Sequence, residues 1–155
     1  MKINPQVTEF LMREALKEAK KAFFKNEVPV GAVIAYQEKI IARAHNKVEN
    51  NKKVTQHAEI LVIEKASRKL QDWRLQDCIL CVTLEPCTMC MGAIKLARIP
   101  TLIIGAGDSE KGACGTLFDL SLDKRLGTVQ KVISGVLKEE CSGILKEFFR
   151  GKRNN

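Results

Sequence analysis

The sequence predicts an α/β layered domain, with helices covering a largely parallel sheet. Three observations carry that expectation. Apolar residues recur at helical spacing near the start of the chain, at Val7, Phe10, Leu11, Ala15, Ala19, Ala22 and Phe23. Beyond Asn46, short β-branched runs alternate with helical stretches, and strands joined through helices pair in parallel. The 155 residues suffice for one core without disulfide support, so a single domain over residues 1–155 is expected.

Asn4 and Pro5 read as the cap and first position of the opening helix, because proline there has no N–H to leave unpaired. Val28 to Tyr36 is a nearly continuous apolar run, and Ile40 to His45 follows after the polar break Gln37, Glu38, Lys39, which reads as a strand hairpin. Lys47 to Lys53 reads as a loop. Thr55 is then a candidate cap for a helix from about His57 to Leu70. Its residues Ile60, Leu61, Val62, Ile63, Ala66 and Leu70 are apolar around most of the circumference, which predicts a buried helix. Cys78 to Leu84 reads as a strand, Cys87 to Leu96 as a short helix and Thr101 to Gly105 as another strand. Gly105 to Thr116 is a glycine-rich loop, Val129 to Val136 a final strand and Lys138 to Arg150 a closing helix. There is no internal repeat, low-complexity tract or linker.

Lys and Arg number 26 against 18 Asp and Glu, a formal net charge of +8. Two readings compete: a polyanionic partner such as nucleic acid, or a well-solvated surface. Basic residues gather at Lys17, Lys20, Lys21 and Lys25 in the first helix and at Lys146, Arg150, Lys152 and Arg153 in the last. If the two ends meet, they form one patch. No stretch approaches the roughly 18 apolar residues of a membrane span, and no apolar run follows a basic start. A cytoplasmic protein without membrane association is therefore expected, with its six cysteines reduced and serving as ligands or packing.

The chemistry concentrates in two short segments, His57-Ala58-Glu59 and Pro86-Cys87-Thr88-Met89-Cys90. His57, Cys87 and Cys90 offer one imidazole and two thiolates. A tetrahedral zinc with three protein ligands keeps its fourth position for water, and Glu59 is placed to carry that water's proton. Cysteines that begin a helix lie where the backbone N–H groups favour thiolate. One difficulty is that residues two apart on a regular helix lie about 200° apart around its axis, so the entry into the helix must relieve the divergence.

These residues admit other readings. A lone Cys-x-x-Cys also suits a redox pair. Cys78 and Cys81 could complete a four-cysteine site, but on a buried strand residues three apart face opposite sides. Cys78, Cys81, Cys114 and Cys141 therefore read as packing, and His45 receives no role. Gly105 to Gly112 suggests a phosphate loop, yet neither the dinucleotide pattern nor the P-loop lysine is present. A loop after a strand end still borders a ligand pocket in an α/β sheet.

These residues resemble the zinc-dependent nucleobase and nucleoside deaminases, whose signature is His-x-Glu followed by Pro-Cys-x-x-Cys. Glu27 to Val33, Asn46, Thr83 to Cys90, Arg98, Ile99, Gly105 to Gly115 and Phe148, Phe149, Arg150 are similar to the branch of bacterial tRNA-specific adenosine deaminases. The resemblance implies a three-layer α/β/α cytidine-deaminase-like fold with a central mixed sheet of about five strands. It implies hydrolytic deamination of the wobble adenosine of a tRNA anticodon, usually an arginine tRNA, to inosine. One zinc per subunit would be held by His57, Cys87 and Cys90, with Glu59 as proton shuttle and backbone N–H groups near Ala58 and Cys87 steadying the oxygen. By the same resemblance, Asn46 would bind the flipped nucleoside and Val28, Pro29 and Val30 would line its pocket. Asp108, Lys111, Phe149 and Arg150 would touch flanking nucleotides of the anticodon stem-loop, on a homodimer. Val54, Gln56 and Thr116 depart from the family's usual proline, alanine and serine. The alternatives are a deaminase of a free base or nucleoside, of guanine or cytosine type, and a non-catalytic RNA-binding module with structural zinc.

Overall fold

The computed structural model describes residues 2–127 and 129–153. Helix α1 spans Pro5–Phe24, and Asn4 caps it by accepting the Val7 N–H at 2.9 Å. Strands β1 (Gly31–Tyr36) and β2 (Lys39–His45) follow as a hairpin, then the short helix α2 (Val48–Asn51) and α3 (Ala58–Leu70). Strand β3 (Cys78–Leu84), α4 (Thr88–Leu96) and β4 (Thr101–Ala106) form a crossover unit, and β5 (Lys131–Ile133) and α5 (Lys138–Arg153) close the chain.

The sheet has five strands in the order β2-β1-β3-β4-β5. β1 runs antiparallel to β2 and β3, whereas β3, β4 and β5 are parallel. The alternation of side chains across β1 and β3 divides the core in two. Ala32, Ile34, Leu80 and Val82 pack with Ala58, Val62, Met91 and Ile94 of α3 and α4. Val33, Ala35, Ile79 and Cys81 pack with Leu11, Met12 and Ala15 of α1 and Cys141 of α5. The result is the three-layer arrangement with a mixed five-stranded sheet that the resemblance implied. Cys78 and Cys81 lie in opposite cores, as strand geometry requires.

Two glycines set the layer spacing. A Cβ on Gly31 would collide with the α1 backbone at Ala15 and Ala19, so this helix lies directly on β1. A Cβ on Gly105 would meet the Cys141 sulfur and the Thr83 carbonyl, which brings α5 equally close to β4. α1 and α5 are neighbours on this face, with the Phe23 and Phe148 rings edge-on at 6.0 Å. The basic stretches near the two ends of the chain therefore sit on adjacent helices.

Several boundaries differ from the sequence expectation, each for a local reason. β1 starts at Gly31, not Val28, because Pro29 has no N–H and Val30 turns its own back to the Val28 carbonyl at 2.8 Å. The segment Lys47 to Lys53 is not simply a loop: the fully buried Glu27 carboxylate accepts the N–H groups of Glu49 and Asn50 at 2.9 and 2.7 Å and organises α2. Thr55 is not the cap of α3. His57 holds that position in an extended conformation, and the Thr55 carbonyl accepts the His57 N–H at 2.9 Å.

Nor is α3 buried all round, since the sheet lies on one side only. Ala58, Glu59, Val62 and Ala66 are buried, while Ile60, Leu61 and Ile63 are half-covered. Lys65 on its outer side donates to the Arg43 carbonyl of β2 at 2.7 Å. β4 continues through Gly105 to Ala106, and α5 runs on to Arg153. β5 is only three residues long, because Gln130 and Lys131 both donate to the Pro100 carbonyl and Gly135 turns the chain away at φ +80°. Among the described residues, no helix is long and apolar enough to cross a membrane.

Gly31→Ala should lower the unfolding free energy by about 2–3 kcal/mol in urea titration, because helix backbone has no side chain to rotate away. Gly143→Ala, mid-helix in α5 with open space around it, should instead raise stability by about 0.5–1 kcal/mol.

Candidate metal centre and substrate cavity

Two helices begin at the same place. His57 is the N-cap of α3 and Cys87 the N-cap of α4; both are extended, and neither uses its side chain to cap the helix. The imidazole and thiol therefore remain free to face each other. The extended His57 also removes the angular divergence expected for residues two apart on a helix, since only Glu59 belongs to α3. His57 Nδ1 lies 3.6 Å from Cys87 Sγ and 3.5 Å from Cys90 Sγ. Among the described residues these three form the one group that could hold a metal ion, with their ligand atoms all within 4.8 Å of one another.

The electrostatics of the cluster prepare one of its sulfurs, Cys87, for ligation. The Cys90 hydrogen bond, aided by His57, pulls the Cys87 thiol down to about 3, so this sulfur is a thiolate at neutral pH. Cys90, as donor to that thiolate and through burial, is held up in the protonated form. A separate hydrogen bond, from the His57 imidazole to Cys87, raises His57 above its ordinary value. Glu59 is 4% exposed, and burial pushes its carboxyl up to about 7. In contrast, burial pushes Cys78 up to about 11 and Cys141 up to about 12, consistent with thiols that only pack.

The cluster forms the floor of a cavity of about 720 Å³ at the carboxyl ends of β3 and β4. Val28, Val30 and Leu84 give it apolar walls, with His57, Ala58, Glu59 and Cys87 at the inner end. Asn46 lines it too, held by donating Nδ2 to the Val28 carbonyl at 3.3 Å and accepting the Val48 N–H at Oδ1 at 3.3 Å. One amide hydrogen and one lone pair remain for a ligand. The outer end carries Asp108, Lys111, Phe149, Lys152 and Arg153.

The structure does not bring every expected residue to this cavity. Pro29 is buried beside it but does not line it, because Val28 and Val30 on either side turn inward. Arg150 is exposed on α5 and also lies outside the lining. It is one step round the helix from Phe149, whereas Lys152 and Arg153, three and four positions on, share the Phe149 face. Helical spacing from Phe149 was the signal that points to them. Asp108 lines the rim, but its Oδ1 accepts the N–H groups of Glu110 and Lys111 at 3.0 and 3.1 Å and so folds its own loop. Glu85 was not singled out from sequence, although it stands two residues before Cys87 and borders the cavity.

Residues 8–153 match the family described as MafB19-like deaminase. The chain is 50% identical over 145 residues to a tRNA-specific adenosine deaminase of Bacillus subtilis (strain 168), covering 94% of this chain and 90% of that protein. A protein of the same name from Aquifex aeolicus (strain VF5) is 45% identical over 147 residues, 95% of this chain and 97% of its own. A solved structure described in a study of A-to-I editing by tRNA:A34 deaminases at the wobble position of transfer RNA superposes with a TM-score of 0.85. It is 40% identical, over 88% of this chain and 99% of that one.

In metal-free protein, iodoacetamide should modify Cys87 at a rate nearly flat from about pH 5 to about pH 8, since a thiol with so low a pKa is ionised throughout. A rate rising about tenfold per pH unit, as for an unperturbed thiol, is the contrary result. Peptide mapping by mass spectrometry reads both, and Cys81 and Cys141 should stay unmodified.

Proposed function

The chain belongs to the tRNA-specific adenosine deaminases, within the MafB19-like deaminase family, and from that membership we propose that it converts adenosine to inosine at the wobble position of a tRNA anticodon, with an arginine tRNA as its substrate. The observation that carries the reading is the buried Glu59 beside the His57–Cys87–Cys90 group at the inner end of a cavity large enough to admit a nucleoside and its neighbours.

The donor set fits zinc. A tetrahedral ion at the usual zinc–sulfur and zinc–nitrogen lengths holds its nitrogen and sulfur ligands about 3.6 Å apart, which matches the two His57–cysteine separations. His57 Nδ1 and the sulfurs of Cys87 and Cys90 would hold one ion per subunit. Zinc supplies Lewis acidity, which makes water a nucleophile near neutral pH.

The remaining work falls to the chain. Glu59 takes one proton of the attacking water and passes it to the purine ring; it then takes the remaining hydroxyl proton and gives it to the C6 amino group, which leaves as ammonia as the C6 carbonyl forms. A carboxyl buried away from water, raised to about 7, exchanges protons near neutrality. Backbone N–H groups near Ala58 and Cys87 would steady the attacking oxygen. Asn46 binds the flipped nucleoside, and Val28, Val30 and Leu84 hold its apolar faces. Phe149 offers a ring for a neighbouring base, and Lys111, Lys152 and Arg153 balance the phosphates. The +8 charge suits this polyanionic substrate better than a free base.

The active species is a homodimer in the cytoplasm. Supporting it are the exposed apolar side chains Leu96 at the end of α4 and Leu117, Phe118, Leu122 and Leu126 on the segment between β4 and β5. Six free cysteines suit a reducing compartment.

Incubation with tRNA bearing adenosine at the wobble position should yield inosine there by sequencing. Ammonia from guanine with no inosine in tRNA would overturn the reading in favour of a free-base deaminase. Glu59→Ala should lower kcat by about 10³-fold while zinc content and tRNA affinity persist; retained turnover would remove Glu59 from the chemistry. Light scattering should give twice the chain mass at micromolar concentration.

A further inference from the structure

Glu85 is 5% exposed and has no cationic partner among the described residues. Its two oxygens instead collect four donors from one loop. Oε1 accepts the Asp108 N–H at 3.1 Å and the Thr116 hydroxyl; Oε2 accepts the N–H groups of Cys114 and Thr116 at 2.9 and 3.1 Å. A carboxylate, with two acceptor oxygens and no proton to give, matches a ring of donors as no neutral side chain does.

The loop is shaped around this group. A Cβ on Gly112 would come within 2.5 Å of the Glu85 carboxyl carbon, so close approach requires glycine there. Main-chain bonds flank the clamp, from Glu85 N–H to the Ala106 carbonyl at 2.8 Å and from Ala113 N–H to the Pro86 carbonyl at 2.9 Å. Glu85 thus binds the segment that leads into Cys87 to the segment carrying Asp108 and Lys111, which forms the outer cavity wall.

We propose that Glu85 is a positioning residue that fixes the 107–116 loop as the substrate-facing wall, so that RNA binding, not the chemical step, depends on its charge. The inference rests on the tRNA deaminase reading. Glu85→Gln keeps the shape but turns an NH2 toward donors, leaving at least one N–H of the loop unpaired. Thr116→Val removes the hydroxyl from the same ring, and Thr116→Ser restores it.

The test combines steady-state kinetics on wobble-adenosine tRNA, bound-metal content and amide hydrogen exchange by NMR. Glu85→Gln and Thr116→Val should raise KM about tenfold with kcat within about threefold, the size of one charge-assisted hydrogen bond. Thr116→Ser should keep the wild-type KM. The amides of Asp108, Cys114 and Thr116 should exchange at least about tenfold faster in Glu85→Gln, with metal content unchanged. Unchanged exchange at those amides overturns the proposal, as does a fall in kcat and metal content at constant KM, which is the mark of a merely structural role. Wild-type protein that makes no inosine would sink the substrate reading, while the exchange data would still decide whether Glu85 holds the loop.

Discussion

Everything at the site depends on two helix N-termini pointing at one spot. α3 enters from the β2 side and α4 follows β3 after three residues, and each presents as its N-cap a residue that does not cap. A serine or aspartate at either position would stabilise its helix by about 1 kcal/mol. His57 and Cys87 forgo that stabilisation and leave their donors free. Part of the loss is offset at α4, because a thiolate at a helix N-terminus interacts favourably with the unpaired N–H groups there. The sheet order places β3 at the centre, so the junction of β3 with α4 is supported on both sides by the two cores.

How much of this could be read from the chain follows from how local each signal is. The Asn4–Pro5 start of α1 and the strands at Ile40 to His45 and Cys78 to Leu84 rest on adjacent residues or short apolar runs, and these match the structure to within one residue. The structure also brings His57, Cys87 and Cys90 together, although some thirty residues separate the two segments. The structure departs from the local pattern where a distant group decides. Glu27 organises α2 from more than twenty residues away, and the Pro100 carbonyl shortens β5 by claiming two N–H groups. Neither leaves a local trace. The apolar run of α3 misled for a different reason: composition reports hydrophobicity, but only packing against one face of a sheet decides which residues it covers. Glu85 escaped notice because a glutamate beside a cysteine motif carries no sign that a loop will close on it.

Buried glutamates here divide by what surrounds them. Glu18 and Glu85 both lie under the surface, where burial alone would push a carboxyl up. For Glu18 the Lys21 ammonium at 2.6 Å, aided by His45, outweighs burial; for Glu85 the Thr116 hydroxyl and loop N–H groups do so. Both end below their ordinary value and stay charged. At Glu59 burial prevails over the nearby His57, and the carboxyl rises. Among these three buried glutamates, Glu18, Glu85 and Glu59, environment alone yields two fixed anions and one group able to gain and lose a proton.

The edges of the sheet carry a consequence of another kind. β5 offers only three residues and begins with a lysine, while along β2 the Arg43 carbonyl is already taken by Lys65. β5 is too short to present a long row of vacant amides and carbonyls on which another chain could grow a strand, and on β2 that row is interrupted at Arg43. Sheet extension is disfavoured at these borders, which leaves helices and loops, where side chains select the partner, as the surfaces on which two copies would meet.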